Sequence, residues 1–148
     1  MQGLHLTADA SGCAADAPAM REPAALRALC LRAVAQAGLT PVGELFHRFE
    51  PGAATLAGGG GITGVVLLAE SHLAVHTWPE LGAVTLDVYV CNFGADNSAK
   101  AEALMQALLA AWQLATGLSN VVLDWPLAAA VLHTGGAAAL RRTDVGRL

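Results

Sequence analysis

Residues 69–80 read AESHLAVHTWPE, which sets two carboxylates, two hydroxyls, two imidazoles and an indole close together in a chain that is only 14% charged. Two kinds of chemistry use such a set. His72 and His76 stand four apart, as two zinc ligands on one helical turn do, with Glu70, Glu80 and Cys91 as further donors. Val75, Thr77, Trp78 and Pro79 favour extended backbone, however, and residues four apart on a strand lie roughly 13 Å from each other at about 3.3 Å per residue. A zinc site is therefore not expected. A purely structural reading also exists: a strand, a turn and a strand in which one histidine is hydrogen-bonded in the core and Trp78 packs.

The elements that must carry these residues follow from periodicity. Residues 3–8 alternate Leu4, Leu6 and Ala8 against His5 and Thr7, a short strand pattern. The loop ADASGCAADAP, residues 8–18, follows. Pro23 suits a first helical turn, after which Leu26, Leu29, Cys30, Ala33, Val34 and Ala37 make one apolar stripe that Gly38 terminates. Cys30 lies on that stripe and reads as core. Residues 41–50, PVGELFHRFE, predict a second strand. Glycines 58–61 fit a mobile loop better than a phosphate cradle, because a strand-like ITGVVLLA follows them instead of a helix N-terminus. Residues 62–69, HLAVHTW and AVTLDVYV predict three consecutive antiparallel strands, the last two separated by a turn at 79–82. Asn97 or Ser98 can cap a second helix whose apolar face is Leu104, Met105, Leu108, Ala111, Trp112 and Ala115. SNVVLDW predicts a final strand, and residues 126–148 show no clear pattern. The order β-α-β-β-β-β-α-β implies an α+β two-layer sandwich: a mostly antiparallel sheet with helices on one face.

Composition narrows the function. The 148 residues fit one domain, are 55% hydrophobic and carry a formal net charge of -4. The scattered Lys and Arg leave no basic stripe for phosphates, so no nucleic-acid partner is expected. No apolar run is long enough to cross a bilayer and the first residues lack a secretory pattern, so a cytoplasmic location and no membrane partner are expected. Cys13, Cys30 and Cys91 form no CxxC pair and are odd in number, which argues against a disulfide framework. So few charges on so apolar a chain suggest that a partner copy covers part of the surface.

The order Glu-Ser-His-x-x-Val-His-Thr-Trp-Pro-Glu, with a cysteine twenty residues after the serine, resembles the pyruvoyl-dependent S-adenosylmethionine decarboxylases of the short prokaryotic type. GLHLTAD, FHRFEP, GITGVV and LDVYVC resemble that family's opening strand, the strand before its processing site, the segment leading into that site and the strand bearing its catalytic cysteine. The resemblance reaches from Gly3 to about Gly94; Leu4 stands where a basic residue is common, the loop before Thr63 is longer and richer in glycine, and the C-terminal third lacks the family's usual charged pattern.

The resemblance implies self-cleavage between Glu70 and Ser71. Ser71 would attack the Glu70 carbonyl, and elimination and hydrolysis would leave a pyruvoyl cofactor generated from Ser71, a ketone able to form a Schiff base with a substrate amine. His76 would move the proton in processing, Thr63 would assist it from the position of a family serine, and Cys91 would protonate the product carbon. Phe49 and Trp78 would stack on adenine and Glu80 would bind ribose. His72, Cys13 and Asp87 receive no role; His5, His47 and His133 read as surface or core. The implied function is decarboxylation of S-adenosylmethionine for spermidine synthesis by a homodimer or higher homo-oligomer. Alternatives are a pyruvoyl decarboxylase of arginine or ornithine, and an unprocessed nucleoside-binding homologue.

Overall fold

The computed structural model describes residues 2–50, 60–92, 94–115, 129–131 and 137–145. In chain order the elements are β1 (Gly3–Ser11), α1 (Pro18–Arg21), α2 (Pro23–Gln36), β2 (Pro41–Arg48), β3 (Ile62–Leu68), β4 (Ser71–Trp78), β5 (Ala83–Cys91), α3 (Ser98–Ala115), β6 (Ala129–Val131) and β7 (Ala137–Val145). The strands form one sheet in the order β2-β3-β4-β5-β1-β7-β6, and every pairing is antiparallel.

Period-two alternation decides which side chains reach the core. Leu4, Leu6 and Ala8 of β1, Val66 and Leu68 of β3, Leu73 and Val75 of β4, and Val84, Leu86, Val88 and Val90 of β5 are all buried. They meet Leu26, Cys30, Ala33 and Val34 of α2 and Leu104, Met105, Leu108 and Trp112 of α3 in one cluster. Burying each such aliphatic side chain contributes about 1.5–3 kcal/mol. Both long helices pack on this face, so the α+β two-layer arrangement expected from the sequence is the one found. The residues of opposite parity, among them His5, Thr63, His72, His76, Asp87 and Tyr89, lie on the face that none of the described helices covers.

Helix α2 starts at Pro23 as expected, and Gly38 follows it with φ 71° in the left-handed region that favours glycine. The expected loop after β1 contains a four-residue helix, α1, begun by Pro18. It matters because Met20 plugs the core: its Sδ accepts the Trp112 indole N–H at 3.3 Å. Helix α3 begins at Ser98 with the Asn97 carbonyl taking its first bonds, from the Lys100 and Ala101 N–H groups. The Asn97 side chain does not serve as the cap. Its amide donates to the Cys91 carbonyl at 3.0 Å and so ties the helix start to the end of β5.

One expected strand is not described, and one unassigned stretch proves to contain strands. The segment SNVVLDW, residues 119–125, lies outside the described residues, as do His133 and most of the glycine-rich loop at 51–59. Part of the stretch without a clear pattern forms β6 and β7, and β7 pairs along β1 from Gly3↔Val145 to Ala10↔Ala138. Its first six residues, AAALRR, include no β-branched side chain and do not alternate, and only Thr143 and Val145 at its end favour a strand, so tertiary pairing more than local propensity makes it one.

Candidate active site

Glu70 and Ser71 occupy the connection between β3 and β4. Leu68 pairs with Ser71, leaving Ala69 and Glu70 as a two-residue turn. Glu70 has φ 61° and is the one non-glycine residue with positive φ among the described residues. A left-handed conformation costs an L-residue about 1–2 kcal/mol through the approach of Cβ to the following carbonyl oxygen. The strain therefore sits at the residue whose carbonyl Ser71 adjoins. Ser71 Oγ accepts the Cys91 backbone N–H at 3.2 Å, which fixes the hydroxyl and brings Ser71 and Cys91 together across β4 and β5. Cys91 is 6% exposed, and its thiol faces the Gln2 carbonyl at 3.9 Å.

The other candidates gather at the far end of β4. Thr63 and His76 are register partners, and Thr63 Oγ1 is 3.0 Å from His76 Nδ1. Together with Phe49, Trp78 and Glu80 they line a cleft of about 140 Å³. Trp78 and Phe49 are partly exposed there, at 40% and 37%, and can present ring faces to a ligand.

The structure therefore divides the predicted residues into two groups, Glu70, Ser71 and Cys91 at one end and Phe49, Thr63, His76, Trp78 and Glu80 at the other. Ser71 and His76 are five residues apart on one strand, roughly 16 Å at about 3.3 Å per residue, and an odd separation points them to opposite faces. Within one copy of the chain the His76 imidazole does not reach the Ser71 hydroxyl. Their closeness in sequence is a property of the strand's path and not of a shared pocket. His72 and His76, likewise, stand on an extended strand, as the zinc argument supposed.

Two features were not singled out by sequence reasoning. Thr77, 3% exposed, accepts the Ile62 N–H at 2.8 Å and donates to the Met20 carbonyl at 2.9 Å. It thereby closes the β3–β4 ladder beside Thr63 and His76 and pins α1 beneath them. Gly61 is required by the same close approach, since a Cβ there would come within 2.1 Å of the Thr77 carbonyl oxygen. The second feature is a polar group on the uncovered face. Asp87 takes His5 Nε2 at 2.7 Å on one carboxylate oxygen and His72 Nε2 at 3.2 Å on the other. Tyr89 lies between the two imidazoles, stacked on His72 with centroids 5.7 Å apart and edge-on to His5 at 6.2 Å. Alternation alone places these residues on one face, but only the register makes them neighbours.

The remaining thiols are inert by burial. Loss of solvation pushes Cys30 up to about 12 and Cys13 up to about 11, where almost no nucleophilic thiolate exists at neutral pH. Cys30 is fully buried on α2, as its position on the apolar stripe implied.

The chain is similar to proteins of one known family. The family model described as S-adenosylmethionine decarboxylase matches residues 4–118. An S-adenosylmethionine decarboxylase proenzyme of Aquifex aeolicus is 44% identical over 90 residues, 61% of this chain and 59% of that protein's length. One from Moorella thermoacetica is 33% identical over 129 residues, 87% of this chain and 95% of the relative. The crystal structure of the adenosylmethionine decarboxylase from Aquifex aeolicus superposes with a TM-score of 0.68 at 28% identity, covering 99% of this chain and 92% of that one. A two-layer sheet with a strained Glu-Ser turn, a cysteine bound to that serine through its backbone, and relatives named as proenzymes are one consistent set: the chain belongs to the S-adenosylmethionine decarboxylase family.

Proposed function

We propose that the chain is a self-processing, pyruvoyl-dependent decarboxylase of S-adenosylmethionine, supplying the decarboxylated product for spermidine synthesis, and that it works as a homodimer whose sites are completed across the interface. The observation that carries this reading is the turn at Glu70 and Ser71: a strained residue, its carbonyl beside a hydroxyl already held in place by the Cys91 N–H.

Attack of Ser71 Oγ on the Glu70 carbonyl carbon forms a five-membered ring, so the covalent chain supplies the proximity, and good alignment is worth up to ~7 to 11 kcal/mol. The amide C–N bond breaks and an ester forms, leaving Ser71 with a free amine. Loss of the Ser71 α-proton then breaks the Cβ–Oγ bond, and Oγ departs with the Glu70 carboxylate. Hydrolysis of the resulting enamine releases ammonia and leaves the ketone at position 71. The residues present fit the pyruvoyl group, because Ser71 is its precursor and Cys91 is its neighbour across the sheet. When in place, the group acts as an electron sink for the carbon that loses carbon dioxide.

The chain's own side chains do the rest. Cys91, beside position 71, holds a proton for the product carbon. The Thr63–His76 pair provides a hydroxyl and an imidazole able to accept a proton in one step and return it in another, worth about 100 to 10,000-fold in rate. Trp78 and Phe49 would stack on adenine and Glu80 would accept hydrogen bonds from ribose. That Ser71 and His76 lie roughly 16 Å apart in one copy supports a site assembled from two, Ser71 and Cys91 from one chain with Thr63, His76 and the cleft from the other. Large apolar side chains on the uncovered face, Leu45, Leu67 and Trp78, support an interface there.

Denaturing mass spectrometry tests the processing: wild type should yield one fragment ending at Glu70 and a second beginning with the pyruvoyl group at position 71, while Ser71→Ala stays whole. Carbon dioxide should be released from carboxyl-labelled S-adenosylmethionine and not from arginine or ornithine. A wild-type chain that remains full length after prolonged incubation, or processed protein that acts only on a free amino acid, overturns the reading.

A further inference from the structure

Cutting the Glu70–Ser71 bond opens the β3–β4 hairpin at its turn and creates two new chain ends inside the sheet. Free ends fray unless something ties them down. The end that remains at Glu70 has a tie next to it: the Ala69 N–H donates to the Thr40 carbonyl at 3.2 Å. The other end has to be held more exactly, because it carries the reactive group. Processing removes Ser71 Oγ, and with it the bond that now holds Ser71 to the Cys91 N–H. The first intact residue of the new strand is then His72, and the pyruvoyl carbonyls are joined to the protein through the His72 amide nitrogen.

His72 is unusually well held for a half-exposed side chain. Its Nε2–H donates to Asp87 Oδ1 at 3.2 Å, its ring stacks on Tyr89 at an interplanar angle of 26°, and Asp87 is itself steadied by His5 through Oδ2 at 2.7 Å. These partners sit on β5 and β1, which stay continuous when β4 is cut. Tyr89 lies over Gly3, where an added Cβ would stand 2.9 Å from its hydroxyl, so the glycine leaves the room that the ring occupies. We propose that Asp87, with His5 and Tyr89, is the clamp that holds the pyruvoyl-bearing end of β4 in register after self-cleavage. Asp87 is a positioning residue: it acts through His72 and has no contact with the reacting atoms. This inference rests on the self-processing reading above.

The clamp has a signature that a general structural role lacks, because it is needed only once the chain is cut. In the uncut chain the Glu70–Ser71 bond already holds β4 in place. Amide hydrogen exchange at residues 72–74 is measured by mass spectrometry in four proteins: processed wild type, processed Asp87→Ala, and the uncut Ser71→Ala chain with and without Asp87→Ala. Asp87→Ala is expected to accelerate exchange at 72–74 by ten-fold or more in the processed pair and by less than three-fold in the uncut pair. Self-cleavage should proceed within about three-fold of the wild-type rate, and kcat of the processed variant should fall more than KM changes. Asp87→Asn, which keeps one acceptor oxygen and a closely similar shape, should show the same selectivity with a smaller ratio and serves if Asp87→Ala does not fold. Equal acceleration in cut and uncut chains, or none in either, overturns the clamp while leaving self-processing intact. A wild-type chain that never cuts overturns both.

Discussion

Mixing two inactive chains tests the division of the site between copies. Ser71→Ala removes the attacking hydroxyl but keeps Thr63 and His76, whereas His76→Ala keeps the hydroxyl and removes the imidazole. Along β4 the two positions are separated by about 16 Å on opposite faces, while proton transfer requires heavy atoms within about 3 Å or one bridging water. Neither chain can therefore restore the other unless His76 of one copy reaches Ser71 of its partner. In a two-fold dimer built that way, a mixed dimer holds one site with both groups and one with neither. Equal co-expression with random pairing puts about half of the His76→Ala chains into mixed dimers, so about half of those chains, and none of the Ser71→Ala chains, should be cut. Either variant alone should be cut at most at a residual rate some 100-fold or more below wild type. Different affinity tags on the two chains let intact-mass analysis score each separately. If no His76→Ala chain is rescued although the mixed dimers are recovered by tandem purification, the shared-site reasoning is wrong.

Three further outcomes follow. Thr63→Val, which removes the hydroxyl 3.0 Å from His76 Nδ1, should slow processing by about ten-fold or more with little loss of Tm, and Thr63→Ser should recover most of it; processing rates of the three proteins decide. Thr77→Val strands the Ile62 N–H and the Met20 carbonyl in the core and should cost about 1–3 kcal/mol in urea unfolding of the uncut chain, whereas Thr77→Ser should cost under about 1 kcal/mol; equal stability of the two variants would count against the clasp. Iodoacetamide needs the thiolate, and a thiol pushed up to about 12 or about 11 is ionised to only about one part in 10,000 or 1,000 at pH 8. Cys30 and Cys13 should therefore stay unlabelled in native protein at pH 8. Raised values also mean that these thiols contribute stability below an ordinary thiol pKa and lose it as pH climbs toward 11 to 12, so unfolding at high pH should expose both to the reagent.

Much of this protein was legible in one dimension because its signals are local. The alternation of Leu4, Leu6 and Ala8, the three- and four-residue spacing through α2 and α3, and the run from Glu70 to Glu80 each state a backbone period or a chemical order within a few residues. The two-layer α+β fold and the burial of Cys30 follow from those patterns. Register is a long-range property that no short window contains. Pairing of β4 with β5 set Cys91 against Ser71, and pairing of β1 with β5 carried His5 to a carboxylate 82 residues away. An alanine-rich segment became β7 because β1 offered it an unpaired edge. Ser71 and His76 are the clearest case. They are near in sequence, but an extended strand advances about 3.3 Å per residue and alternates its faces, so once β4 was a strand those residues had to part.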